Sequence, residues 1–171
     1  DRRRGVAGEL DAGVVAICGR GGVVHPFEHL GTTVSWWVGA EDRWHIPATE
    51  PSSTDRVAGV GPIVETVVRI PSGVLTGAAT VARIDGEPGP SVVFDLENSS
   101  PIPVAVCYVV ESECPLTVGS DGITVAGVGR FRLTRPAMGY VVADSLADAR
   151  SAVESGDIEI EPPAWDRPGV G

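Results

Sequence analysis

A chain of 171 residues with 43% hydrophobic and 21% charged residues is long enough for a sizeable core and too apolar for a disordered chain. The formal net charge of −10 argues against nucleic-acid binding, because phosphate neutralisation needs clustered Arg or Lys and the one basic run is Arg2, Arg3 and Arg4 at the chain end. No apolar run reaches the ~18–20 residues of a membrane-spanning helix and no signal peptide is visible, so neither a nucleic acid nor a membrane is expected as a partner.

The elements, in chain order, read as short strands. "AGVVAICGRGGVVHPF" (12–27) predicts a hairpin across Gly19, Arg20, Gly21 and Gly22. "GTTVSWWVGAEDRWHIP" (31–47) predicts a strand through Trp37, then a turn or loop. "ATEPSSTDRVAGVGP" (48–62) is rich in Pro, Ser and Gly and reads as a surface loop.

"IVETVVRIPSG" alternates. Val64, Thr66, Val68 and Ile70 share one face, and Glu65 and Arg69 lie on the other. "VLTGAATVARID" is another strand, with Gly77 marking a bulge. "EPGP" turns the chain. In "VVFDLEN", Val92, Phe94 and Leu96 face one way and Asp95 and Glu97 the other; "NSSP" is then a turn. Ile102 to Val110 is apolar on both faces, as expected of a central strand, with Pro103 at its start.

"LTVGSDGITVAG" predicts a hairpin across Ser120, Asp121 and Gly122. "GRFRLTR" and "GYVVAD" are two further strands. "SLADARSAVESG" breaks the pattern: Leu146, Ala149 and Val153 fall at helical spacing, Ser145 with Asp148 forms a capping box, and Gly156 stops the helix. "DIEIEPPAWDRPGVG" (157–171) reads as a short strand and a Pro-rich linker or edge segment. The expected fold is a single domain over 1–171, all-β: an antiparallel β-sandwich of about ten strands with one short C-terminal helix.

All thirteen basic residues are arginine, which with the Val, Ala, Gly and Pro excess points to a GC-rich bacterial genome. Cys18, Cys107 and Cys114 match no zinc motif and no CxxC. They are expected as reduced thiols in a cytoplasmic protein, with a Cys107–Cys114 bridge as the alternative. The chain starts at Asp1 and its one methionine is Met138, so the expectation is a lost N-terminus or a domain of a larger protein.

The densest polar-aromatic cluster is "SWWVGAEDRWH". Indole faces stack on sugar C–H groups, and neighbouring carboxylate and guanidinium groups take hydroxyls. Trp36, Trp37, Trp44, Asp42, Arg43 and His45 are therefore the candidate ligand-binding residues. On a strand Trp36 and Trp37 point to opposite faces, so one is expected in the core and the other exposed or packed on a neighbouring domain. The competing reading is core plus an interdomain seam.

"HPFEH" sets His25 and His29 around Glu28, but Pro26 opposes the helix that His-x3-His zinc binding needs. No metal or other cofactor is expected. Glycoside hydrolysis needs two carboxylates at a defined separation, and Glu41, Asp42, Glu50 and Asp55 are loop candidates. There is no GxSxG and no P-loop. No catalytic residue is assigned.

At "DRWHIP", "VETVVRIPSG", "VVFDLENSSPIPVAV" and "GVGRFRLTRP" the chain resembles the N-terminal β-sandwich of actinobacterial glucoamylase-like and glycogen-debranching-like proteins, over roughly 10–143. That resemblance implies a sandwich ahead of an (α/α)6 barrel, with the catalytic carboxylates in the barrel. The expectation is a non-catalytic accessory domain of a carbohydrate-active protein, whose partner is the catalytic domain. Two alternatives stand beside it. One is an independent carbohydrate-binding module taking a glucan; the other is a small metal-dependent or hydrolytic enzyme using His25, His29, His45 and nearby acids.

Overall fold

A computed structural model describes residues 5–9, 13–26, 28–29, 31–51, 53–58, 63–119, 122–134 and 139–157. The chain forms two compact units, Asp1–Val110 and Glu111–Gly171.

The first unit is an all-β sandwich. One sheet takes the order β1-β2-β3-β4-β10, with β5 also on β4; the other is β6-β7-β8-β9. The strands are β1 (Gly5–Glu9), β2 (Gly13–Cys18), β3 (Val24–Pro26), β4 (Thr32–Gly39), β5 (Trp44–His45), β6 (Thr54–Ala58), β7 (Ile63–Ile70), β8 (Gly73–Arg83), β9 (Pro90–Asn98) and β10 (Ala105–Ser112).

Alternation decides which side chains meet. On β7, Val64, Thr66, Val68 and Ile70 are buried, while Glu65 and Arg69 are not, as the sequence pattern requires. One half of the core joins Ala16, Cys18 and Val24 of the first sheet to Val64 and Ala79 of the second. The other half joins Trp36 and Val38 to Val68, Ile70 and Leu75. Phe94 packs against both halves, so the sheets share one continuous apolar layer.

Several sequence expectations are met and some corrected. The β2–β3 hairpin forms, closed by Gly19 N–H on the Val23 carbonyl at 2.7 Å, with a 3-10 turn at Arg20–Gly22. The "NSSP" turn forms as well: Ser100 N–H donates to Asn98 Oδ1 and Asn98 Nδ2 to the Ile102 carbonyl, both at 2.9 Å.

The 48–62 segment is not wholly a loop. Its Thr54–Ala58 stretch is strand β6, antiparallel to β7, with Arg56 opposite Glu65. Polar residues hide this strand because it is an edge, where a paired charge serves as well as an apolar side chain. Gly77 makes no bulge, for the β7–β8 and β8–β9 registers run through it unbroken. The stretch from Ile102 is not central either. β10 starts at Ala105 and ends the described sheet order, and Ile102 is exposed.

The second unit holds a three-stranded antiparallel sheet, β11 (Leu116–Gly119), β12 (Gly122–Val125) and β13 (Gly129–Arg132), and one helix, α1 (Leu146–Ser155). Gly119 pairs with Gly122 across the expected hairpin. Ser145 caps α1, its Oγ accepting from Asp148 N–H at 3.1 Å, and Gly156 ends it at φ 75°. Val153 is buried but Leu146 is exposed, so the predicted apolar face is only partly used. "GYVVAD" is not a strand; it contributes one isolated bridge, at Tyr140. The "IEIEPPAWDRPGVG" end, where a strand and linker were expected, lies outside the described residues.

No helix among the described residues is long and apolar enough to cross a membrane.

Candidate functional site

β4 carries Trp36 and Trp37 to opposite faces, and both are buried. Trp36 is 2% exposed, donates Nε1–H to the Gly21 carbonyl at 3.0 Å, and lies 5.6 Å from the Phe94 ring centre. Trp37 is 3% exposed. Neither indole offers an open ring, whereas one of the two was expected exposed or packed on a neighbouring domain.

After β4 the chain reverses. Ala40 N–H donates to the Arg43 carbonyl at 3.1 Å, and β5 returns along β4 with Val38 opposite His45 and Gly39 opposite Trp44. Cross-strand partners share a face. His45 therefore follows Val38 inward and is buried, while Trp44 lies over Gly39. A Cβ at Gly39 would sit 3.1 Å from Trp44 Cζ2 and Cη2 and 3.3 Å from Ala105 Cβ. Trp44 is half-buried, with the glycine making room for its ring.

The charged candidates are brought together and pair with one another. His45 Nε2 is 2.9 Å from Asp42 Oδ1, and His45 Nδ1 is 3.6 Å from Glu50 Oε1. Arg43 grips Glu50 with both terminal nitrogens, Nη1 to Oε1 at 2.5 Å and Nη2 to Oε2 at 3.2 Å. From the 3-10 turn, Arg20 Nη2 donates to the Glu50 carbonyl at 3.1 Å. The His45 hydrogen bond holds the Asp42 carboxyl below the usual carboxylate range. The bond from Arg43 does the same for Glu50, against the opposing effect of burial, and it raises Arg43 in turn.

The other acids named from sequence are also engaged. Asp55 accepts the Gly21 N–H at 3.1 and 3.2 Å and the Thr66 hydroxyl at 2.7 Å. Glu41 Oε2 accepts from Ser72 Oγ at 3.3 Å. Sequence reasoning flagged Glu50 and Asp55 only as loop carboxylates. Nothing local reveals their partners, since Asp55 and Gly21 are 34 residues apart.

His25 sits on β3 and His29 in the turn before β4, not on one helix. Among the described residues no group of three or more His, Cys, Asp or Glu side chains is placed to hold a metal ion. The three cysteines are unpaired. Burial pushes the Cys18 thiol up, with the Asp55 charge adding to the effect, and burial alone raises Cys107.

Comparisons with protein-family models, with curated proteins and with solved structures give no match.

Proposed function

We propose that this chain is a non-catalytic accessory β-sandwich of a larger carbohydrate-active bacterial protein, packing on a catalytic domain. The observation that carries the reading is the mutual pairing of its reactive groups. Asp42 with His45, Arg43 with Glu50, and Asp55 with Thr66 and Gly21 tie loops to strands and so act as structural links. The carbohydrate context rests on the resemblance carried by "DRWHIP", "VETVVRIPSG" and "VVFDLENSSPIPVAV". Three unpaired cysteines fit a reducing compartment, the cytoplasm.

A carbohydrate-binding module remains as a second reading because Trp44 is the one tryptophan of the cluster that is only half-buried. Its ring, backed by Gly39, is the platform such a module would use.

Two measurements separate the readings. The chain is incubated with maltooligosaccharides and aryl glycosides, and released sugar is followed. The accessory reading expects none above buffer; turnover abolished by Asp42→Asn or Glu50→Gln would overturn it in favour of an enzyme. Tryptophan fluorescence is then titrated with maltoheptaose. A saturable shift that disappears in Trp44→Phe would move the assignment to the binding module.

A further inference from the structure

Two steps of the chain have the make-up for ring closure onto their own backbone: Asp85–Gly86 in the β8–β9 connection and Asn98–Ser99 at the end of β9. In each, the next residue's backbone nitrogen has the side-chain carbonyl carbon within reach, and its attack closes a five-membered succinimide. By residue type alone the Asn step is the faster, because a carboxylate resists a nucleophile more than a neutral amide does.

The structure reverses that order. Asn98 Nδ2 donates to the Ile102 carbonyl and Asn98 Oδ1 accepts from Ser100 N–H, both at 2.9 Å. The Ser99 nitrogen, which would have to attack, is engaged as well: its N–H donates to the Val74 carbonyl at 3.0 Å. Ring closure at Asn98 therefore requires the turn to open first, against three hydrogen bonds.

Asp85 and Gly86 carry no such ties. Glu87 N–H on the Ile84 carbonyl at 3.1 Å closes their turn, and the β8–β9 ladder stops at Arg83 opposite Pro90. Ile84 to Pro88 are exposed. Among the described residues neither Asp85 nor Gly86 is held by a hydrogen bond or an ion pair. Gly86 stands at φ 87°, and nothing lies within 4 Å of the position its Cβ would take, so no side chain crowds the turn. Every other described aspartate precedes a residue that has a side chain, and Asp42 and Asp55 are hydrogen-bonded besides.

We propose that Asp85 is a site of spontaneous backbone isomerisation in the folded protein, and that the Asn98 turn is locked against the same chemistry. The Gly86 nitrogen attacks Asp85 Cγ. A C–N bond forms, a C–O bond breaks, and the amide proton leaves with the carboxyl hydroxyl as water; nothing is oxidised or reduced. Water then opens the succinimide at either carbonyl. Opening at Cγ restores aspartate. Opening at the α-carbonyl leaves isoaspartate, with the chain running through Cβ and Cγ and the α-carboxylate free. Net charge is unchanged and the connection is one backbone atom longer. That atom falls outside the sheet, because the ladder has already ended at Arg83 and Pro90.

The test ages the full chain in warm, near-neutral buffer, folded in one sample and unfolded in guanidinium chloride in another. Digestion and electron-transfer fragmentation, which distinguishes isoaspartate from aspartate, then locate the change. In the folded sample isoaspartate is expected at position 85 at close to its rate in the unfolded sample. Asn98 is expected to convert on the order of tenfold slower folded than unfolded, since it waits on local opening. Conversion of Asn98 ahead of Asp85 in the folded chain would overturn the proposal, as would aspartate persisting at 85 while the unfolded sample isomerises. Asp85→Glu keeps the charge but demands a six-membered ring, and is expected to abolish the folded-state isoaspartate. A signal of the same size in that variant would place the chemistry at another residue and sink the assignment.

Discussion

Gly77 of β8 lies beneath the ring of Phe94, close enough that a Cβ on the glycine would stand 2.6 Å from Phe94 Cζ and 2.9 Å from Trp36 Cζ2. The glycine therefore makes space for two aromatic rings from opposite sheets. Gly77→Ala is expected to destabilise the sandwich by about 1–3 kcal/mol, the usual range for overpacking. Gly89→Ala is the control, because nothing lies within 4 Å of its added methyl. Urea unfolding of both variants checks this. Equal midpoints would mean that the rings step aside without cost.

Asp55 links β6 to the Arg20–Gly22 turn and to Thr66 in the core. Asp55→Ala strands the buried Thr66 hydroxyl and the Gly21 N–H, at a cost of about 1–3 kcal/mol for unsatisfied groups. Thr66→Val removes one of the orphaned partners. The double variant is therefore expected to lose less than the sum of the singles. Simple additivity would show that the two side chains do not act together.

The Asp42 and Glu50 carboxyls are both held below their ordinary range, by His45 and by Arg43 respectively. A depressed carboxyl contributes stability above its unfolded value, near ~4, and that stability is lost as pH falls through the folded value. Stability measured by urea unfolding is expected to drop between neutrality and acid, and the drop should shrink in Asp42→Asn and in Glu50→Gln. An acid limb unchanged in both variants would assign the loss to other carboxyls.

Cys18 is 1% exposed and its thiol is raised by burial and by Asp55, whereas Cys107 and Cys114 are half-buried. Since the thiolate is the nucleophile, Cys18 is expected to react with an aromatic disulfide reagent only at the rate of global unfolding. Its labelling should accelerate in sub-denaturing urea in step with stability. Labelling of Cys18 as fast as Cys114 in the folded state would contradict its placement in the core.

Strand identity was written locally. In "IVETVVRI" and "VVFDLEN" the period-two alternation assigns each side chain to a face without reference to the rest of the chain, and Ser145 and Gly156 mark the helix ends by side-chain and backbone chemistry alone. β6 was not legible, because an edge strand is defined by its neighbour β7 and not by its own apolar content. The fate of the tryptophans was not legible either. Alternation places Trp36 and Trp37 on opposite faces, but whether a face is covered depends on what packs there. At Trp36 that is decided by Gly77 and Phe94, each more than forty residues away along the chain. The same holds at "EDRWH". The sequence by itself supplied the acids, the arginine and the histidine. Only the β4–β5 reversal, which turns His45 inward with Val38, and the distant grip of Arg20 on the Glu50 backbone, determined that these groups close on one another. Periodicity is a property of the local backbone, whereas burial and charge pairing are set by contacts between segments that the sequence keeps far apart.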